Sequence, residues 1–236
     1  GKFNSLLARL QKAFEAEKHL IAGAAHELKT PLAVIRAECD ISLQRRRDPE
    51  EYTSSLKEIR LVCEAMLRQI NGLLTLARLD SGMLSISTSQ KISLNNCLED
   101  AASLVKPLAK KSAITITKQL TEEITVPGNK ESLTEAFLNL IENAVKYNRR
   151  NGSVDIRLKS QEEHAEVSIR DTGIGISEEE MERIFSRFYR SDAARSMGGT
   201  GLGLSITRAI VQAHQGEITV TSKKAEGSSF KVRIPS

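Results

Sequence analysis

The sequence predicts two folded parts: an α-helical hairpin suited to a dimeric four-helix bundle, followed by an α/β sandwich. In the first third of the 236-residue chain, apolar residues recur at alternating steps of three and four, the heptad pattern of helices that pack on helices. Farther along, helical periodicity alternates with short strand-like runs, which is typical of a mixed α/β domain. The composition agrees, because 40% hydrophobic and only 4% aromatic residues favour a helix-rich soluble chain.

Two heptad segments predict the hairpin. Between them, Asp48-Pro49-Glu50-Glu51 supplies an N-cap, a proline at the first helical position and a carboxylate that completes a capping box. One hairpin cannot bury a two-sided seam, so we expect a homodimer. The first segment runs through Ile21, Ala25, Leu28, Leu32, Ile35 and Cys39, and the second through Tyr52, Leu56, Ile59, Cys63, Met66, Ile70, Leu73 and Ala77.

A further heptad stretch precedes the hairpin, at Phe3, Leu7, Leu10 and Phe14. Joining it to Ile21 requires two consecutive steps of four, a stutter that locally unwinds a coiled coil. The stretch is therefore either a segment that conducts a signal into the hairpin or a simple helical extension. Because the chain starts without Met, a signal peptide or an apolar span, we expect it to be a piece of a longer receptor.

The second part of the chain is predicted to contain both helices and strands. The second hairpin helix ends near Asp80-Ser81-Gly82, and the polar stretch up to Ser93 is a linker or a short strand. Helices are expected at residues 94–111, at 130–147 and from the last glycine-rich loop to about 214, and strands at 114–118, 154–158, 165–170, 217–221 and 229–234.

Charge and cysteine content exclude several classes of function. The net charge of +4 comes from basic residues interspersed with acidic ones, whereas nucleic-acid binders gather theirs into a patch, so no nucleic acid is expected. Cys39, Cys63 and Cys97 are widely spaced in apolar helical patterns, which indicates reduced core thiols and no metal site.

Five short strings occur in order along the chain. Each alone is weak evidence, since glycine doublets and helical histidines are common in chains without a catalytic role. Their order and completeness make the combination specific. The strings are Ala25-His26-Glu27-Leu28-Lys29-Thr30-Pro31-Leu32, Asn139-Leu140-Ile141-Glu142-Asn143, Asp171-Thr172-Gly173-Ile174-Gly175, Phe185-Ser186-Arg187-Phe188 and Gly199-Thr200-Gly201-Leu202-Gly203.

The set resembles the H, N, G1, F and G2 boxes of the sensor histidine kinases of two-component signalling, over nearly the whole chain. The resemblance implies a dimerisation and phosphotransfer domain at 19–82, a linker at 83–93 and a catalytic domain at 94–236. It implies that the catalytic domain has the GHKL (Bergerat-type) ATP-binding fold. It also implies that residues 1–18, which are similar to the end of a HAMP module, carry the input signal. The location implied is the cytoplasmic portion of an inner-membrane receptor.

The heptad register places His26, Glu27 and Thr30 on the outward face of the first helix. A neutral imidazole is a competent nucleophile near pH 7, and an adjacent carboxylate can accept its second proton. The resemblance implies that His26 is phosphorylated from Mg-ATP and passes the phosphoryl group to an aspartate of a response regulator. It also implies that Thr30 orients water in dephosphorylation of that regulator.

The remaining strings predict a nucleotide site without a P-loop. Asn139 and Asn143 share one helix face, and the turn before the last helix can cradle phosphates with its amides. The resemblance assigns the Mg²⁺ ligand to Asn143, phosphate contacts to Lys146 and Arg190, adenine stacking to Tyr147 and adenine recognition to Asp171. The resemblance further implies that the nucleotide is approached by the glycines of two boxes and their neighbours, namely Gly173, Gly175, Gly199, Thr200, Gly201, Leu202 and Gly203.

Other assignments remain open at the level of the sequence. A GHKL ATPase or chaperone fragment with a helical arm, and a nucleotide-binding scaffold without phosphotransfer, are alternatives. The exposed His26-Glu27 pair disfavours the first, and the complete N, G1 and G2 strings disfavour the second. A structural role is expected for Phe185 and Phe188 as core anchors and for His214 at a helix end.

Overall fold

The computed structural model describes residues 22–25, 28–80, 90–120, 122–195, 197 and 199–236. The chain divides into two compact units, one ending at Leu74 and the other beginning at Thr75. None of the helices in the described part of the chain is both long and apolar enough to span a bilayer.

The helical hairpin belongs to the first unit except for the end of its second helix, from Thr75 onward, which falls in the second unit. Helix α1 covers residues 22–25 and 28–44, and helix α2 spans Pro49–Asp80. The capping prediction is confirmed in part, because Pro49 opens α2 and the Glu51 carboxylate accepts the Asp48 N–H at 3.2 Å. Glu51 also pairs with Arg45 at 3.1 Å, which ties the residue directly after α1 to the first turn of α2.

The heptad seam of the hairpin is open to solvent in the single chain. Leu32 is 58% exposed and Leu56 is 65% exposed. The prediction of core thiols is wrong for Cys39 and Cys63, which are exposed, and correct for Cys97, which is buried in the second unit. The two exposed cysteines lie on the seam, and one hairpin has no second layer to cover it.

The second unit is built on a five-stranded mixed sheet and a two-stranded one. The five strands lie in the order β2-β4-β5-β7-β6, with β2 parallel to β4 and every other pair antiparallel. A separate pair joins β1 to β3. The strands are β1 (Lys91–Ser93), β2 (Thr115–Gln119), β3 (Thr125–Pro127), β4 (Ser153–Ser160), β5 (His164–Asp171), β6 (Glu217–Lys223) and β7 (Gly227–Pro235).

A helical layer packs on this sheet. Helix α4 (Lys130–Lys146) contacts α3 (Leu94–Lys111) on one side and α7 (Gly203–Ala213) on the other, and also touches β4 and β5. Period-2 burial along β4, at Val154, Ile156 and Leu158, turns one face of the strand toward these helices. The α/β sandwich is therefore confirmed.

β1 lies in the stretch that was predicted to be a linker or a short strand, and its residues form a strand. The other short elements of this unit were not predicted: they are β3 and helices α5 (Glu178–Met181) and α6 (Asp192–Arg195). Elements of three or four residues carry too few positions for a hydrophobic period to be recognised.

Candidate nucleotide-binding site and phospho-acceptor helix

One face of α4 carries polar side chains into the site. The helix starts at Asn129, whose side chain accepts the Ser132 N–H at 2.8 Å, and its opposite face is buried. Asn139 and Asn143 lie one turn apart and are both half-buried. The Asn139 Nδ2 is buried and has no hydrogen-bond partner among the described residues. An unpaired buried amide costs free energy unless a ligand satisfies it.

Lys146 and Tyr147 form the end of the same helix. The Lys146 Nζ lies 5.4 Å from the centroid of the Tyr147 ring. Burial lowers the pKa of Lys146, with Glu142 opposing this shift and Arg190 adding to it. Burial also raises the pKa of Tyr147. The low dielectric around this amine strengthens its attraction for an anion.

Asp171 ends β5 and is almost fully buried. Its Oδ1 accepts the backbone N–H of Gly173 at 2.8 Å and that of Ser228 at 3.2 Å. Burial raises the pKa of this carboxyl, while the two backbone hydrogen bonds lower it. Both bonds reach Oδ1, so Oδ2 is the oxygen left for a ligand donor.

The loop after Asp171 packs tightly against its neighbours. A Cβ at Gly173 would lie 2.3 Å from the Tyr147 carbonyl oxygen, and the Ile174 N–H donates to the same oxygen at 3.0 Å. Gly175 has a φ of +67° and faces the carbonyl of Lys223, where a Cβ would lie 2.0 Å from the oxygen. The loop is thereby attached to the end of α4 and to the β6–β7 turn.

The glycine turn at 199–203 lies against the polar face of α4. A Cβ at Gly199 would lie 2.7 Å from the Lys146 Nζ, and one at Gly203 would lie 3.4 Å from the Asn139 Oδ1. Thr200 Oγ1 accepts the Leu202 N–H at 3.2 Å, and the buried Leu202 caps α7. The first amides of α7 therefore open next to Asn139 and Lys146, as an anion site requires.

A cavity of about 460 Å³ lies beside the Asp171 loop, between Ile174, Gly175, Arg190 and Lys224. Arg190 donates to the Ala194 carbonyl at 2.6 Å and is close enough to Lys146 to affect its pKa. The anchoring role predicted for Phe185 agrees with its edge-on packing against Phe230, with ring centroids 6.5 Å apart.

The predicted phospho-acceptor residues divide between described and undescribed positions. Thr30 lies in α1 and is exposed. His26 and Glu27 lie outside the described residues, so their roles stay predictions. The structure thus brings together the nucleotide residues predicted on α4, the Asp171 loop and the glycine turn, all within the second unit.

The polar residues of the site suit a nucleotide that is bound together with a hydrated cation. The described residues contain no group of three His, Cys, Asp or Glu side chains that could hold a metal. A single amide oxygen such as that of Asn143 suits Mg²⁺, which keeps most of its waters and shares phosphate oxygens. The close approach of the Gly199 backbone to the Lys146 amine, and the Asn139 Nδ2 that has no partner among the described residues, suit phosphate oxygens.

Sequence reasoning missed several residues that hold the site together. Thr172 Oγ1 donates to Asn148 Oδ1 at 3.2 Å and accepts the Ser153 N–H at 2.9 Å, which ties the Asp171 loop to α4 and β4. Ser228 supplies the second amide bonded to Asp171. Gly227 and Ser228 begin β7, and the contact of Ser228 with Asp171 appears only once β7 pairs with β5.

Two family models match the chain. The His Kinase A (phospho-acceptor) domain matches residues 16–82. The histidine kinase-, DNA gyrase B-, and HSP90-like ATPase matches residues 128–236, which contain the described site. The second domain is accordingly an ATP-binding domain.

Relatives with both parts of the chain are sensor kinases. The sensor protein kinase PmrB of Pseudomonas aeruginosa is 36% identical over 233 residues, covering 99% of this chain and 48% of PmrB. The sensor histidine kinase RppB of a Synechocystis species is 34% identical, covering 96% of this chain and 50% of RppB. The chain spans about half the length of the curated relatives it matches.

Solved structures agree on the fold. ShkA, solved at full length in complex with AMPPNP, is 25% identical with a TM-score of 0.67, covering 92% of this chain and 45% of ShkA. The two family models, the curated relatives and the fold lead to one identification. The chain belongs to the sensor histidine kinases of two-component signalling.

Proposed function

We propose that the chain is the core of an ATP-dependent protein-histidine kinase. It phosphorylates itself on His26 and passes the phosphoryl group to an aspartate of a response regulator. The observation that carries the proposal is that both the Asp171 loop and the glycine turn pack against α4, the loop at its end and the turn at its polar face, where the Asn139 Nδ2 has no hydrogen-bond partner among the described residues. The family of the chain and the AMPPNP held by ShkA support ATP as the occupant.

The chemistry assigned to the first domain is nucleophilic. One ring nitrogen of His26 attacks the γ-phosphorus of ATP, so a nitrogen–phosphorus bond forms while the bond to the ADP oxygen breaks. Glu27 accepts the proton that leaves the other ring nitrogen. Positioning and charge neutralisation supply most of the rate in phosphoryl transfer, so the nucleotide site contributes more than proton transfer does.

The site residues bind and orient ATP. Oδ2 of Asp171 accepts the adenine amino group, Tyr147 covers the base, and Lys146 and Arg190 neutralise phosphate charge. The amides of the turn that contains Gly199, Thr200, Gly201, Leu202 and Gly203 hold phosphate oxygens. Asn143 holds Mg²⁺, with Asn139 one turn away on the same face; the cation, when bound, screens the negative charge of the phosphates.

Thr30 is assigned to the reverse reaction on the regulator. It is exposed on α1, one helical turn after His26. A hydroxyl there positions a water molecule against a phosphoaspartate without acting as a base. A regulator phosphatase is therefore the secondary activity.

The chain acts as a homodimer at the inner face of a membrane. The exposed heptad seam supports dimerisation through a four-helix bundle. Residues 1–18 bring the signal in, 19–82 dimerise and accept the phosphoryl group, 83–93 link, and 94–236 bind ATP. Its kinship with sensor kinases supports its assignment as the cytoplasmic portion of an inner-membrane receptor.

The deciding experiment is transfer of labelled γ-phosphate from Mg-ATP to the purified chain. We expect acid-labile label on the wild-type protein and none on His26→Gln, because phosphohistidine hydrolyses in acid whereas phosphoserine does not. ATP hydrolysis without labelled protein would contradict the proposal and favour a GHKL ATPase. Nucleotide binding without turnover would also contradict it and favour a scaffold.

A further inference from the structure

His214 is a buried histidine to which the proposed function gives no role. It follows the last residue of α7 and is 5% exposed. Its Nδ1 lies 2.8 Å from the carbonyl oxygen of Ile210, and its Nε2 lies 3.1 Å from the backbone nitrogen of Asn129. Since the carbonyl can only accept and the amide can only donate, the ring is neutral and carries its proton on Nδ1.

The residue that His214 contacts begins helix α4. Asn129 is the N-cap of α4, so the imidazole joins the last turn of α7 to the first turn of α4. Gly128 makes room for the ring, because a Cβ at that position would lie 2.6 Å from the His214 Cδ2 and 2.8 Å from its Nε2.

Two further contacts show that the helices run antiparallel in one register. The Thr207 hydroxyl lies 3.4 Å from the Ala136 carbonyl oxygen, midway along both helices. At the far end, Gly203 faces Asn139. The three pairs are His214 with Asn129, Thr207 with Ala136 and Gly203 with Asn139, so the residue number falls along α7 as it rises along α4. A helix is stiff along its axis, so its position at one end fixes the other end about 16 Å away.

We propose that His214 is a positioning residue of the nucleotide site, whose imidazole sets the axial register of α7 against α4. It thereby holds the glycine turn at 199–203 opposite Asn139 and Lys146. The inference rests on the proposed function, because it concerns how the same phosphate-binding groups are aligned. Without the ring, the Asn129 N–H is left unpaired and α7 loses its anchor farthest from the phosphates.

The test compares two nucleotides that differ in how much they use the turn. The binding of AMP depends mainly on the two residues assigned to the base. These are Asp171, at the end of β5, and Tyr147, at the end of α4. AMPPNP also needs the amides that open α7. The Kd of each is measured by calorimetry with Mg²⁺ for the full chain, for His214→Leu and for His214→Gln, whose amide oxygen replaces the Nε2 acceptor.

We expect His214→Leu to raise the Kd of AMPPNP about tenfold and that of AMP no more than about twofold. His214→Gln should restore most of the AMPPNP affinity, which a purely volume-filling role would not predict. Gly128→Ala should act like His214→Leu although the histidine is present, because the added methyl displaces the ring.

Circular dichroism establishes that each variant is folded. A folded His214→Leu chain in which the two Kd values are unchanged, or rise in equal proportion, would overturn the inference. If His214→Leu does not fold, Gly128→Ala provides the same comparison, and an unchanged ratio there overturns it. A wild-type chain that binds neither nucleotide would instead overturn the proposed function, so the two failures are distinguishable.

Discussion

Single residues in the site are constrained by backbone groups more than by other side chains. The Asp171 carboxylate accepts one backbone N–H from its own loop and one from Ser228 at the start of β7, and Gly173 lies against the Tyr147 carbonyl. This arrangement fixes the carboxylate before a ligand arrives. Preorganised acceptors bind more tightly, because no side-chain freedom is lost on binding.

Replacement of Asp171 by Asn tests adenine recognition. We expect Asp171→Asn to raise the Kd for ATP by about 10- to 100-fold, because a charge-assisted hydrogen bond to the adenine amino group is lost. Calorimetry measures the effect. Asp100→Asn on α3, at an exposed carboxylate paired with Lys130, is the matched control and should bind ATP normally. Equal affinity of the two variants would contradict the assignment of Asp171.

Thr30 provides a separation of activities. We expect Thr30→Ala to slow dephosphorylation of the regulator by about tenfold or more while labelling of His26 continues, because the proposed task of the hydroxyl is to position water and the proposed nucleophile is His26. The measurement follows loss of phosphate from a phosphorylated regulator. Thr30→Ser keeps the hydroxyl and should retain the activity. Parallel loss of both activities in Thr30→Ala would refute the separate role.

At the scale of elements, the site depends on turns that only glycine can form. Gly201 has a φ of +70°, and a Cβ there would lie 2.6 Å from the backbone carbon of Phe188, which itself has a φ of +60°. Two left-handed residues thus pack against each other where the F-box segment meets the turn before α7. The turn directs α7 toward α4, so its geometry is a condition for the anion site.

Replacement of Gly201 by Ala should destabilise the second domain by about 1–3 kcal/mol, because a left-handed, crowded position is strained by a side chain. Urea unfolding measures the difference. Gly203→Ala is the control, since its Cβ would make an ordinary contact 3.4 Å from Asn139 Oδ1. Equal stability of both variants would show that the turn accommodates a Cβ.

The junction of α7 and α4 should make stability depend on pH. Burial lowers the pKa of His214, so protonation favours the unfolded chain. The stabilisation that neutral His214 gives to the folded chain is complete above the ordinary histidine pKa of about 6.5. It is lost as the pH falls toward the lower pKa that His214 has in the folded chain. Urea unfolding at several pH values should show wild type losing stability relative to His214→Gln in acid. A constant difference across pH would contradict this.

For the complete chain, the exposed seam of the hairpin is the feature that favours association with a second copy of the chain. Leu56 and Ile70 lie on this seam and remain 65% and 38% exposed in the single chain. The burial of such a stripe on both helices is the main driving force for four-helix bundles. The proposed dimerisation therefore rests on the apolar pattern of the two helices rather than on any single contact.

Charges on the seam should dissociate the dimer. We expect Leu56→Glu combined with Ile70→Glu to raise the dimer Kd roughly a hundredfold or more, because unpaired carboxylates would have to be buried. Sedimentation velocity measures the change. Leu61→Glu is the control, since Leu61 is 57% exposed but lies off the seam. A dimer that survives the double substitution would place the interface elsewhere.

The hairpin and the order of the longer helices and strands could be predicted from local patterns in the sequence, whereas the roles of the nucleotide-site residues came from the resemblance to the kinase boxes. These features are periodic or local: Pro49 opens a helix where a capping pattern predicts one, and Asn139 and Asn143 share a face because they lie one turn apart. Local sterics and hydrophobic periods act within a few residues, so they can be recognised without a fold.

Which distant segments support the nucleotide site could be seen only in the folded chain. The Ser228 amide on Asp171, the Thr172–Asn148 bond and the His214 contact with Asn129 join residues far apart in the chain. Such contacts depend on strand pairing and on helix register, which no local pattern encodes. The exposure of Cys39 and Cys63 has the same cause, since an apolar period predicts which face is to be buried but not what covers it.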